Sequence, residues 1–288
     1  MRRLRLCAGA VIAAVWIGAG DASASELIDR DAASASLSVN GAGQAVVIWR
    51  AGGRTRQVTA SGAINARPPR RGVPQVSFLL RYGGKSILSG GCQRYDGPPL
   101  AWLVHVCKAP DGSFWALQRW QRLKPNYGGR QGAWDLRLSH WTGPLPTLQV
   151  WTDWAYRRYD HLYGTYSYRG EPVFGFKTTR QGNPLDAYGR NLYLETYNSS
   201  YGRGWRRENS FLAQGPTGIF CYGFYPHGSL PAGDGARYRA TVIGPGVAPD
   251  VMWEGPAPGP FDGAREARAN AHQRTLFAGR GPNGCKPR

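Results

Sequence analysis

TLQVWTDWAYRRY, residues 147–159, alternates in side-chain character from one position to the next. In an extended chain successive side chains point to opposite faces. Leu148, Val150, Thr152, Trp154 and Tyr156 then share one face, and Gln149, Trp151, Asp153, Arg157 and Tyr159 share the other. The first is the natural core side. The second sets a tryptophan and a tyrosine among charges on what should be the wetter side of a sheet. Residues 191–197 repeat the arrangement, with Leu192 and Leu194 opposed to Tyr193, Glu195 and Tyr197.

On either side of this stretch, short runs rich in Val, Ile, Trp, Tyr and Phe alternate with Gly, Pro and Asp-Gly punctuation, which is the signature of antiparallel β structure. Residues 44–50 and 54–60 flank Ala51-Gly52-Gly53 and predict a hairpin. Residues 101–107 and 113–120 predict another around Ala109-Pro110-Asp111-Gly112, and strands are expected at 76–82, 172–178, 217–225 and 236–243. Trp134, Leu136 and Leu138 alternate with Asp135, Arg137 and Ser139, a half-buried strand by parity. One stretch reads as a helix: residues 263–276, opened by Asp262 as N-cap and closed by Gly279. The expected fold class is all-β, an antiparallel sandwich-like architecture with two β subdomains and one short C-terminal helix. Residues 38–127 form the first subdomain, 128–258 the second and 259–288 a helical tail, with the boundary at Lys124–Gly129.

Residues 1–24 read as an export signal. Arg2, Arg3 and Arg5 make a positive start, residues 8–19 a short apolar run, and Ala22-Ser23-Ala24 the small-x-small pattern that a signal peptidase cleaves after. The apolar run is shorter than the roughly 20 residues a bilayer span needs. Residues 25–37 then read as a flexible leader. Beyond the signal stand Cys92, Cys107, Cys221 and Cys285, an even number suited to an oxidising compartment. Spacing pairs Cys92 with Cys107 across Gly97-Pro98-Pro99, and Cys221 with Cys285. The expected localisation is secreted or envelope-associated, with no transmembrane segment in the mature chain.

The formal net charge is +18, which favours anionic partners. Export removes nucleic acid from consideration and leaves acidic polysaccharide, wall polymers or anionic headgroups. Gly84-Lys85-Ser86 lacks the glycine five positions earlier that a phosphate loop requires, since Leu79 stands there. Neither H-E-x-x-H nor G-x-S-x-G occurs, and no cysteine lies near a histidine at ligand spacing, so no metal and no cofactor is expected.

Two functions fit these residues. The first is a non-enzymatic protein that binds carbohydrate or an anionic envelope polymer through Trp151, Asp153, Arg157, Tyr159, Tyr193, Glu195 and Tyr197; rings stack on the C–H faces of sugars while charges hold hydroxyls or acidic groups. Trp205 with Arg206 and Arg207 adds to that inventory. The alternative is an envelope hydrolase of glycosidase type with Asp153 and Glu195 as its carboxylate pair, which requires the two about 5 to 9.5 Å apart across a cleft.

Residues 191–253 resemble secreted β-rich proteins of actinobacterial type. The residues that carry the resemblance are Tyr197-Asn198-Ser199, the run from Gly204 to Phe211, Phe220-Cys221-Tyr222-Gly223-Phe224 and the run from Val242 to Val247. The resemblance implies export and a β fold, and brings no activity with it.

Overall fold

The computed structural model describes residues 25–68, 75–84, 90–123, 133–156, 159–173, 192–199, 202–207, 210–214, 217–224, 226–227, 230–231 and 235–286. Eight strands come first: β1 (Glu26–Arg30), β2 (Ala33–Val39), β3 (Ala45–Ala51), β4 (Arg54–Gly62), β5 (Phe78–Tyr82), β6 (Leu103–Lys108), β7 (Phe114–Arg122) and β8 (Ala133–Trp141). They make two antiparallel sheets, β1-β8-β7-β6 and β2-β3-β4-β5. Leu37, Val47, Trp49 and Val58 from one sheet meet Ile28, Trp115, Leu117, Leu136 and Leu138 from the other in a single core. Gly52 and Gly53 form the two-residue turn of the predicted β3–β4 hairpin, both at positive φ (56° and 74°), as the twist of such a turn demands.

The second half contributes β9 (Thr147–Ala155), β10 (Tyr159–Tyr168), β11 (Glu171–Pro172), β12 (Leu192–Ser199), β13 (Gly202–Arg207), β14 (Ser210–Gln214), β15 (Ile219–Phe224), β16 (Pro226–His227), β17 (Leu230–Pro231), β18 (Arg237–Val242) and β19 (Val251–Pro256), then helix α1 (Gly263–Phe277). One sheet is centred on β10, flanked by β9 and by β15 with β14 beyond it; the other runs β13-β12-β18-β19. Val150, Leu162, Tyr166 and Phe220 from the first pack on Leu192, Leu194, Tyr238 and Ala240 from the second. The architecture is therefore all-β and sandwich-like, as the alternation predicts, with one C-terminal helix.

Both disulfides join the expected cysteines, Cys92 with Cys107 and Cys221 with Cys285. Bonds of this kind point to an oxidising, extracytoplasmic compartment. Helix α1 begins where the N-cap predicts, with Asp262 Oδ1 accepting from the Ala264 and Arg265 N–H groups at 2.8 and 3.1 Å. The tail does not hang free. The Cys221–Cys285 bond and the buried Ala269, Phe277 and Cys285 hold it against Tyr163 and Ile219 on the outer face of the β10 sheet.

Three expectations change. Residues 25–37 are not a leader: they contain β1 and most of β2, and Ile28, Ala32 and Leu37 are buried in the core. Sparse apolar residues among Ser and Ala hid them. The division between halves does not fall at 127, because β8 pairs with β7 along its whole length across that point; it falls between β8 and β9, at residues 142–146. The β8 face bearing Asp135, Arg137 and Ser139 is not wet, as those residues are 0%, 5% and 0% exposed.

What covers that face is the β18–β19 connection, residues 243–250, buried throughout. It leaves the second sandwich and inserts into the first, where Val247 joins the core, Val247 O accepts from the His140 N–H and Ala248 O accepts from Ser139 Oγ. A Cβ on Gly244 would collide with the Ala248 and Pro249 carbonyl oxygens, and one on Gly246 would meet Ala66 and Gln75. The two glycines let the backbone pass where no side chain fits.

Candidate functional site

The β13-β12-β18-β19 sheet has one face in the core of the second sandwich, so residues of opposite parity look outward. Pairing across the strands sets them in rows. Arg207, Glu195, Arg239 and Glu254 are successive partners in one row, and Trp205, Tyr197 and Arg237 form the next. Directly opposed side chains of this kind interact across antiparallel strands.

Burial is graded along this face. At the inner end Tyr193 is 1% exposed and meets the Trp120 ring edge-on at 5.5 Å. Glu195, 3% exposed, accepts from Arg239 Nε at 2.7 Å and lies 2.6 Å from its Nη2. Burial pushes its carboxyl pKa up, opposed by the nearby Arg239 and Arg207 guanidiniums. Arg207 spreads over the Tyr193 ring at 4.5 Å and donates to Leu123 O, while Arg239 lies between Trp102 (4.7 Å) and Trp205 (4.1 Å). The next row emerges toward solvent. Tyr197 and Trp205 are only partly buried and their ring centroids are 5.2 Å apart. Arg237, half exposed, reaches over both at 4.9 and 5.6 Å and pairs with Glu254 at 2.7 Å. The outcome is a partly exposed aromatic corner with a cation on its rim, standing on a sealed ionic layer.

The residues named from sequence divide accordingly. Tyr193, Glu195 and Tyr197 do share a face, but Tyr193 and Glu195 are sealed beneath Trp102 and Trp120, and only Tyr197 is open to a ligand. Trp151 and Asp153 also share a face, but helix α1 lies over it: His272 meets the Trp151 ring edge-on at 4.6 Å, and Arg265 pairs with Asp153 at 3.3 Å. Tyr156 leaves the parity of its strand. Its φ of 50° turns it to the Trp151 side, where its hydroxyl bonds Gln273 and Asn283. Arg157 lies outside the described residues, as does the Tyr159 side chain.

The structure does not bring Asp153 and Glu195 together. Val150 and Leu194 share the core between the two sheets, and the carboxylates sit on the opposite parity of their respective strands. They face away from each other on the two outer surfaces of a sandwich whose sheets stand about 10 Å apart. Among the described residues the two carboxylates share no cleft.

Sequence reasoning missed Trp102, Arg237, Arg239 and Glu254. The alternation in Arg237-Tyr238-Arg239-Ala240 carried a signal for the two arginines, because i and i+2 on a strand share a face. Trp102 comes from a loop 90 residues before the start of β12, and no local pattern links the two.

Elsewhere, His140 Nε2 lies 2.9 Å from Ser113 Oγ, which in turn lies 2.6 Å from Asp111 Oδ1. This is not a nucleophilic triad. The carboxylate holds the serine instead of the imidazole, His140 Nδ1 meets Ala63 O, and Ser113 is 1% exposed. Burial lowers the His140 pKa to about 4. Among the described residues no three His, Cys, Asp or Glu side chains gather as a metal site. A cavity of about 570 Å³ opens beside helix α1, lined by Gln149, Thr165, Ser167, Thr217 and Arg280 among others; it presents hydroxyls and one cation.

No family model, curated protein or solved structure matches this chain.

Proposed function

We propose that this is an exported, non-enzymatic protein that binds an acidic polysaccharide or a similar anionic polymer of the cell envelope through the corner formed by Tyr197, Trp205 and Arg237. The observation that carries the reading is the pairing of two partly exposed rings with a half-exposed guanidinium on a rigid sheet. Rings of this kind stack on the apolar face of a sugar, and the guanidinium, which also pairs with Glu254, attracts its carboxylate or sulfate. The buried Glu195–Arg239 pair beneath fixes Trp205 from behind, so little ordering is lost on binding. The excess of positive charge draws a polyanion to the surface over a longer range.

The test is binding of purified protein to alginate or polygalacturonate against neutral dextran over a salt series, read by tryptophan fluorescence. Saturable binding to the acidic polymer that Trp205→Ala weakens by about tenfold or more, on the scale of one lost stacking anchor, supports the reading. Retention that vanishes uniformly with modest salt and ignores Trp205→Ala overturns it in favour of charge attraction alone. The variant Arg280→Ala serves as control for the cavity beside α1 and should bind as the parent does.

A further inference from the structure

Ser25 is the first described residue and is fully buried, at 0% exposure. It sits in the joint between the two sandwiches. Its N–H donates to Gly246 O at 2.5 Å, its Oγ donates to Asp250 Oδ1 at 2.5 Å, and its carbonyl oxygen accepts from Arg137 at 2.9 Å. Its φ is 34°, a region that a serine within a continuous chain enters at a cost.

Asp250 is 1% exposed, and burial raises its pKa. The cation reaching it is Arg137, at 3.9 Å, whose Nη2 lies 3.3 Å from Asp135. Burying a carboxylate as an anion is costly, and here the Asp250 carboxylate is held by donors from Ser25, Trp120 and Gly244 together with the more distant Arg137. Ala22-Ser23-Ala24 ends immediately before this residue.

We propose that hydrolysis of the Ala24–Ser25 peptide bond is a maturation step that places a positive charge in this joint. A signal-peptide-cleaving endopeptidase adds water across the bond. The Ala24 carbonyl carbon keeps the hydroxyl oxygen and leaves as a carboxylate, and the Ser25 nitrogen takes the protons and becomes an α-ammonium. That group keeps its donor bond to Gly246 O and belongs to the residue whose hydroxyl donates to Asp250, so it supplies a second cation beside that carboxylate. Cutting the bond also removes the atom that defines φ at Ser25, so the backbone constraint disappears with the leader. The new amino terminus thus pins the 243–250 connection to β8 and β1.

The experiment uses the full chain expressed with residues 1–24 and recovered after export. Intact mass and terminal sequencing should show Ser25 as the first residue. An amine-reactive ester should label its α-amino group at least about tenfold more slowly in the native state than in urea, as protection by local structure requires. A variant with Gly-Gly placed between Ala24 and Ser25, processed to a Gly-Gly-Ser start, should melt lower than the parent, and Asp250→Asn should shrink that difference. A different first residue, native labelling as fast as in urea, or an unchanged melting temperature on extension would overturn the proposal. Should Asp250→Asn not fold, labelling and extension decide alone.

Discussion

Gln118 and Asp250, separated by 132 positions in the chain, exchange two hydrogen bonds. Gln118 Nε2 donates to Asp250 O and the Asp250 N–H donates to Gln118 Oε1, each at 2.9 Å. A side-chain amide thus imitates a strand partner and closes the joint between the sandwiches, while the Asp250 carboxylate accepts from Trp120 Nε1 at 2.8 Å and from the Gly244 N–H at 2.9 Å.

Replacing Gln118 with Leu keeps the volume but leaves a buried N–H and C=O unmatched. The expected cost is roughly 2–4 kcal/mol. Urea unfolding followed by tryptophan fluorescence should show a lower midpoint and a broader transition, because the two halves are coupled less tightly. An unchanged midpoint would mean that the joint contributes nothing to stability.

Removing Arg239 should damage the protein more than removing its pair entirely. Arg239→Met strands Glu195 as a buried anion, at about 3–5 kcal/mol, whereas Arg239→Met with Glu195→Leu replaces both charges with apolar groups and recovers much of that. The deficit of the single variant should shrink as pH falls from 7 to 5, since a carboxyl whose pKa burial already raises takes up a proton more readily once Arg239 is gone and only Arg207 remains to oppose it. Denaturation curves of the three proteins at both pH values test this.

His140 should make the fold acid-sensitive. Its folded pKa of about 4 lies below the ordinary 6.5, so the unfolded chain binds the proton more tightly. The stabilisation from the neutral imidazole is fully present above pH 6.5 and is lost as pH falls through the folded value, about 3 kcal/mol in all. The variant His140→Gln should flatten the stability profile between pH 7 and 4. A parallel profile for parent and variant would show that His140 does not contribute.

Breaking the Cys221–Cys285 bond should release the C-terminal element. Closure of a loop with a sequence separation of 64 is worth about 4 kcal/mol in the chain-entropy model. With Cys285→Ser, trypsin should cut α1 at Arg265, Arg268 or Arg274 under conditions where the oxidised parent resists, and Trp151 fluorescence should shift to the red as its cover leaves. Equal resistance in both proteins would mean that apolar packing alone holds the helix.

Much of this fold was legible because its signals are local. The β3–β4 hairpin follows from Gly52-Gly53, the helix start from Asp262, and the disulfide partners from spacing around a turn. The faces of β9 and β12 also follow from parity, with Val150 and Leu194 inward and Asp153 and Glu195 outward. What parity cannot say is what lies on an outward face. Asp153 is covered by a helix more than 100 residues later, Glu195 by Trp102 and Arg239, and Arg137 by a connection that begins after β18. Each cover is a long-range contact, and parity places a residue such as Arg239 on an outward face without saying what it meets there. The strands within residues 25–37 were missed for a related reason: their few apolar residues earn burial only through partners on β8 and β3.

The insertion of Val247 into the core of the first sandwich also dictates an order of events. Residues 26–141 can pair their strands early, but their interior lacks a component until the chain has been made beyond position 250. An amino-terminal half ending near residue 141 should thus lack part of its interior and bind a hydrophobic dye more strongly than the full chain does.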